Sequence, residues 1–231
     1  MTPERFDIYD DQQHWIGTAL RSEVHAKGYW HRSFHCWIVR DKDEQRRVLF
    51  QRRRDIKDTF PGCYDITAAG HLTAGEQLQD ASRELEEELG VNTPFEALTY
   101  LLTATQQLQG EVRGVPFIDR EFSAVYGLCL NQPLEAYVLQ PSEVDSLYEV
   151  PLDDLLALFR NETDVIQATG VQTQSLISPP HSIGHKDPSS SDHAADEPER
   201  IVREIRATEF VPHGTAYYTD VLEALYHVPK E

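Results

Sequence analysis

Apolar and polar positions along the chain fall into short dense runs separated by charged or turn-rich stretches. Phe34–Val39 and Arg47–Arg52 read as two strands joined by a charged turn over Arg40–Arg46. Phe60–Tyr64 is turn-rich, and Asp65–Ala69 reads as another short strand. A loop flanked by Gly70 and Gly75 leads into a helix over Glu76–Leu89, closed by Gly90, a residue suited to a helix C-terminus. Phe95–Thr105 and Phe117–Leu130 are strand candidates rich in aromatic and β-branched residues. A helix starts at Val150-Pro151 and runs to Phe159, and a last one spans Ala216–Tyr226. Strands on both sides of a helix favour a mixed α/β (α+β) sandwich over an all-α or all-β fold.

The pattern also sets the organisation. Residues 1–30 are polar and mixed, and read as an N-terminal extension packing on a domain over 31–165. From about Gln172 to Glu199 the chain turns Ser-, Pro- and Asp-rich with few apolar anchors, so 166–205 reads as a flexible insertion or linker. Residues 206–231 then return as a C-terminal helix. With 231 residues, one domain with extensions is favoured over two full domains.

Charge narrows the partners. A net charge of −18 argues against a nucleic-acid polymer or an anionic membrane as partner, since phosphate contacts need a basic surface. It leaves room for a small phosphorylated molecule, provided metal ions screen the carboxylates. Cys36, Cys63 and Cys129 are odd in number and lack CxxC spacing, so they read as reduced thiols. No apolar run approaches membrane-spanning length and no signal-peptide core follows Met1, which makes the cytoplasm the expected compartment.

The most informative segment is G-H-L-T-A-G-E-Q-L-Q-D-A-S-R-E-L-E-E-E-L-G-V, Gly70 to Val91. With Glu84 at 0° on a helical wheel, Glu87 lies at about 300° and Glu88 at about 40°, so the three acids share a face. Leu78, Ala81, Leu85 and Leu89 fall at about 60–140°, a buried stripe beside that face. Like charges this close cost roughly 0.2–0.5 kcal/mol per pair, and a hard divalent cation with oxygen ligands would offset the cost. Acidic strings are commonly plain solvated helix faces. The flanking glycines, the apolar register, and Arg83 bordering the acids set this one apart.

This segment resembles the Nudix box, G-x5-E-x7-R-E-U-x-E-E-x-G-U, where U is aliphatic. Gly70, Glu76, Arg83, Glu84, Leu85, Glu87, Glu88, Gly90 and Val91 match it in type, with one departure: six residues rather than seven separate Glu76 from Arg83. The resemblance implies an α/β/α sandwich with a mixed sheet. It also implies an Mg²⁺-dependent hydrolase (Mn²⁺ as substitute) that cleaves the diphosphate linkage of a nucleoside-diphosphate-X or another organic diphosphate. Glu84, Glu87 and Glu88 would hold the metal, Arg83 would serve the catalytic helix, and Glu87 or Glu121 would be the base. Arg52, Arg53 and His71 are the candidate substrate contacts. Many proteins of this kind dimerise, which leaves a homodimer open.

A second resemblance spans roughly residues 5–160. His25, Tyr29–His35, Leu49–Arg53 and Thr59–Asp65 are similar to the Nudix subgroup that includes type I isopentenyl-diphosphate isomerase. It implies that His25, His31 and His71 fall where that enzyme's metal histidines lie, with Asp119 and Glu121 near its metal and acid glutamates. The isomerase carries its proton-shuttling cysteine just before the third histidine. Here that stretch is Thr67-Ala68-Ala69-Gly70-His71, without a thiol. Hydrolase is therefore expected over isomerase, and a catalytically silent ligand-binding module is the third reading. Trp30, Trp37 and Tyr64 are expected in core packing, and His181, His185 and His193 are given no role.

Overall fold

Strict alternation in two central strands decides the layering. In Trp30–Lys42 (β3), Trp37 and Val39 enter one core while Cys36 and Ile38 enter another, and all four are fully buried. In Gln45–Arg53 (β4), Val48 and Phe50 join the first core and Leu49 the second. A strand apolar on both faces must lie between two covering layers. The computed structural model, which describes residues 3–172 and 200–231, has that arrangement.

The chain opens with a hairpin, Arg5–Tyr9 (β1) and Trp15–Leu20 (β2), and a short helix, Arg21–Lys27 (α1). After β3 and β4 come Tyr64–Asp65 (β5), Ala68–His71 (β6) and the helix Arg83–Leu89 (α2). A long hairpin follows, Thr99–Val112 (β7) and Val115–Cys129 (β8), then Val144–Pro151 (β9) and the helix Leu152–Phe159 (α3). Ile166–Gln172 (β10), Arg200–Ile205 (β11) and the helix Thr215–Leu225 (α4) complete the described chain. The strands run in the order β11-β10-β9-β4-β3-β1-β2, with β5 on β4, β6 and β8 on β3, and β7 on β8. The β3–β8 pair is parallel and the other pairs are antiparallel, so the sheet is mixed. Helices α3 and α4 supply residues to one core, and Leu85 and Leu89 of α2 belong to the other.

Two expectations change. The helix expected over Glu76–Leu89 is a 3₁₀ turn, Leu78–Ser82, followed by α2. Glu76 is drawn out of helical geometry because its carboxylate accepts from the Thr73 N–H (2.7 Å), and the Asp80 carboxylate then accepts from the Gln77 N–H (2.9 Å) to start a new turn. The segment expected as linker over 166–205 begins and ends in paired strands, β10 and β11, because Ile166, Ala168, Val171 and Ile205 are buried. His181, His185 and His193 lie outside the described residues. Cys36, Cys63 and Cys129 are free thiols. Among the described residues no helix is long and apolar enough to cross a membrane.

Candidate active site and metal centre

Helix α2 is fixed by its apolar side and by its end. Leu85 and Leu89 are fully buried, and Gly90 takes a left-handed conformation (φ 68°) that lets its N–H reach the Glu86 and Leu85 carbonyls. This register turns Glu84 and Glu88 inward and leaves the Glu87 side chain 57% exposed. Arg83 is the hub. Its Nε and Nη2 donate to the two Glu76 oxygens (2.7 and 3.2 Å), and Nη1 reaches Glu87 (3.0 Å) and Glu84 (2.9 Å). The shortened spacer before Arg83 thus still delivers Glu76 to it as a two-point partner.

Burial pushes Glu84 up to about 7, against the pull of Arg83. It pushes Glu88 up to about 8, aided by the Glu84 charge. Glu88 accepts from Gln51 Nε2 (3.1 Å) and from the Ala69 N–H (3.4 Å). Gly70 is required beneath Glu84: a Cβ there would overlap its carboxyl group and lie 2.7 Å from its Cγ. These acids form one wall of a cleft of about 380 Å³ whose other lining includes Arg21, Arg53, Lys57 and His71. Two inward-turned carboxyls, one buried and one half-buried, held above their usual range beside a third acid fit a divalent cation, as an all-oxygen donor set should.

A second group lies alongside. His25 from α1, His31 from β3, His71 from β6 and Asp119 from β8 each place one ligand-type atom within 4.8 Å of the others. His25 Nε2, His31 Nε2 and Asp119 Oδ1 are buried with no hydrogen-bond partner among the described residues, although Asp119 Oδ1 lies 3.7 and 3.4 Å from the two nitrogens. Burial draws His25 and His71 down to about 4 and also lowers His31, so these rings are neutral at pH 7. His31 Nδ1 faces the Tyr29 carbonyl (3.1 Å), which leaves the Nε2 lone pair directed inward. Three nitrogens and one carboxylate match Mn²⁺, Zn²⁺ or Fe²⁺ better than Mg²⁺.

Glu121 is held from four sides. It accepts from Ser33 Oγ (2.6 Å) and Ser123 Oγ (3.2 Å), meets His71 Nε2 at 3.0 Å, and lies 3.6 Å from His35 Nε2. Burial alone would raise it, but His35 and His71 outweigh that and hold it well below the usual carboxylate range. Burial and the Glu121 charge push its neighbour Asp119 up.

The residues singled out by sequence divide. Glu84, Glu87, Glu88, Arg83, Arg53 and His71 line the cleft, and Glu121 lies beyond His71 on the wall of an adjoining inner cavity. Arg52 does not: it pairs with Asp55 and Asp145 (3.1 Å each) and lines a different cavity, with Tyr64 and Arg203. Adjacent residues on a strand point to opposite faces, so Arg52 and Arg53 cannot both face one cleft. Sequence reasoning missed Arg21, Lys57, His35, Gln106 and His213. His213 precedes the expected last helix and carries no spacing signal.

Comparison with known proteins identifies the family. The NUDIX domain profile matches residues 29–168. An uncharacterized Nudix hydrolase of Clostridium acetobutylicum is 34% identical over 226 residues, covering 97% of this chain and 98% of that protein. Nudix hydrolase 3 of Arabidopsis thaliana is 39% identical over 158 residues, 67% of this chain but only 20% of the plant protein. An isopentenyl-diphosphate Delta-isomerase of Mycolicibacterium vanbaalenii is 42% identical over 92 residues, 39% of this chain and 49% of that protein. The chain belongs to the Nudix family, and it is a Nudix hydrolase.

Proposed function

We propose that this Nudix hydrolase uses Mg²⁺ or Mn²⁺ to cleave the diphosphate linkage of a small organic diphosphate, a nucleoside-diphosphate-X or a relative of it, with release of a monophosphate. The carrying observation is the cleft that half-buried Glu84 and buried Glu88 share with Arg21, Arg53 and Lys57. Glu84, Glu87 and Glu88 would hold the cation, and His25, His31, His71 and Asp119 would hold a second divalent ion of softer preference. A bound divalent ion supplies charge neutralisation at the phosphates and lowers the pKa of a coordinated water.

The chain's own residues do the rest. Arg21, Arg53 and Lys57 provide donors for non-bridging phosphate oxygens. Arg83 orients Glu87 and Glu84 through one guanidinium, so neither pays the entropy of a free side chain at the moment of reaction. Glu87, exposed at the mouth and bonded on one side only, takes the proton of the attacking water at a carboxylate oxygen. Glu121 is the poorer base, because its lone pairs are already engaged and His35 and His71 hold its carboxyl well below the usual range, which lowers its affinity for a proton. It serves to fix His71.

The isomerase reading needs a thiol in the pocket. Among the described lining residues of the cleft and of the adjoining inner cavity there is no cysteine. The test is a panel of nucleoside, sugar and isoprenoid diphosphates with Mg²⁺ or Mn²⁺, followed as phosphate released by a coupled phosphatase. Glu87→Gln is expected to lower turnover at least 100-fold with an unchanged thermal melt. A wild-type rate in that variant, or conversion of isopentenyl diphosphate to its allylic isomer, would refute the assignment.

A further inference from the structure

We propose that Gln106 is a specificity-determining residue of this site, the unpaired end of its amide hydrogen-bonding to a hydroxyl group on the organic part of the substrate. The inference rests on the diphosphate-hydrolase reading and narrows it to diphosphates whose organic part carries such a hydroxyl.

Gln106 on β7 lies directly across from Glu121 on β8, so both side chains emerge on one face. Both line a narrow inner cavity of about 60 Å³ that shares Arg53, Ala69, Gly70 and His71 with the outer cleft. A substrate with its diphosphate in the cleft would direct its organic part here. Gln106 is 93% buried, and its Nε2 has no hydrogen-bond partner among the described residues. One end of the amide is engaged by His213 Nδ1 at 2.7 Å, and His213 Nε2 donates to Asp65 Oδ1 at 3.2 Å. Turning the amide over exchanges which end is left in the cavity, the N–H or the carbonyl oxygen, but one end stays unpaired either way. Asp65 in turn accepts from Arg53 Nη1 (2.9 Å), and the Val211 N–H donates to the Tyr64 carbonyl (2.9 Å), pinning the segment that carries His213.

Native proteins keep few buried polar groups unpaired, because each forgoes the hydrogen bonds it made in water. Phe60, Ile66, Leu108 and Val211 offer the free amide end no polar side chain, and Glu121 is already occupied by Ser33, Ser123 and His71. A ligand hydroxyl, both donor and acceptor, would pair with the free amide end, whereas a methyl group in the same place would leave it stranded. Discrimination of this kind is stronger than a hydrophobic pocket achieves for a single methylene. His213 lies outside the 29–168 region that matches the domain profile, so this polar end of the cavity is a property of the C-terminal segment.

The experiment compares two esters that differ in one group, 2-hydroxyethyl diphosphate and n-propyl diphosphate. The intact protein is expected to favour the hydroxyethyl ester in kcat/KM by roughly 10- to 100-fold. In Gln106→Met that ratio should collapse toward one. Gln106→Leu, close in size and without a polar end, must lose the preference as well, which keeps the test alive if the methionine variant fails to fold. The same pair with a non-hydrolysable methylene bridge, titrated calorimetrically with Mg²⁺, reads binding apart from turnover. A tenfold or greater preference in Kd without hydrolysis of either ester would sink the hydrolase reading and sustain this one. Equal Kd values, as a water held by the free amide end of Gln106 would produce, overturn it, and so does a preference that survives both substitutions.

Discussion

Replacing Gly70 by alanine separates the position of a carboxylate from the stability of the fold. A Cβ at residue 70 would overlap the Glu84 carboxyl group and come within 2.7 Å of its Cγ, whereas no backbone atom stands among its closest neighbours. The obstacle is the far end of a side chain that can rotate away. Gly70 is not one of the positive-φ glycines, so alanine brings no backbone strain. The stability loss should therefore stay near the low end of overpacking, about 1 kcal/mol, or roughly 2–4 °C in Tm for a chain of this size. Function should respond far more strongly, because the carboxylate has to move by about 1 Å or more, and misplacement on that scale costs on the order of 100-fold in rate. Gly114→Ala is the counterpart: φ is +80° and nothing lies within 4 Å of its Cβ, so strain of about 1–2 kcal/mol appears with no contact at the site. The assay pairs thermal unfolding with the Mg²⁺ dependence of diphosphate hydrolysis. Gly70→Ala with wild-type turnover and wild-type Mg²⁺ dependence would show that the Glu84 carboxylate does not act where the structure places it.

Two further outcomes are expected. Asp119→Asn should cut Mn²⁺ affinity by 100-fold or more while leaving the metal-free melt equal or higher, since it removes a buried carboxyl whose Oδ1 lacks a hydrogen bond. A Mn²⁺ concentration 100 times Kd should stabilise the unaltered protein by about 2.7 kcal/mol, and a thermal shift that persists in the variant would refute the histidine site. Asp65 gives a pH signature. It is pulled down to about 2, since the His213 hydrogen bond and the Arg53 charge outweigh burial. A carboxyl lowered in the folded state contributes its stability above the unfolded value near 4 and loses it as pH falls toward 2. Urea unfolding should weaken by about 2 kcal/mol across that window in the parent protein and show a shallower slope in Asp65→Asn. Equal slopes would exclude the pairing.

The parts of this architecture that repeat with a period are visible in the sequence. Cys36 to Val39 and Val48 to Phe50 carry a two-residue alternation with both faces apolar, and Leu85 and Leu89 mark one side of a helix. The crowding of Glu84, Glu87 and Glu88 is equally local, which is why the acidic face emerges from a helical wheel. What escapes is whatever depends on contact between distant segments. Gln106, His213 and Asp65 are 41 to 148 positions apart yet hydrogen-bond in one chain, and no spacing rule connects them. The strands Ile166–Gln172 and Arg200–Ile205 were obscured for a related reason. Each is short and borders a long polar stretch, so local composition outweighed the few buried positions that seat them against β9 and each other.

Strand β6 carries the argument about how the two candidate ion sites act together. Four residues long, it is paired to β3 through Ser33↔His71, Phe34↔Gly70, His35↔Ala69 and Cys36↔Ala68. Its Ala69 N–H donates to Glu88, its Gly70 makes room for Glu84, and its His71 enters the histidine cluster and meets Glu121. Successive residues of one strand thus form the floor of the acidic cleft and a wall of the second site. Packed interiors do not deform continuously, so a shift of this strand by a few tenths of an ångström is felt at both ends. Occupancy of one site by a cation would fix the backbone that the other depends on, which is a coupling free energy and must act in both directions. Gly70→Ala, which displaces Glu84 and not the strand, should accordingly weaken Mn²⁺ binding at the histidines only where Mg²⁺ is present to occupy the glutamates. Asp119→Asn, in return, should raise the Mg²⁺ concentration needed for half-maximal turnover.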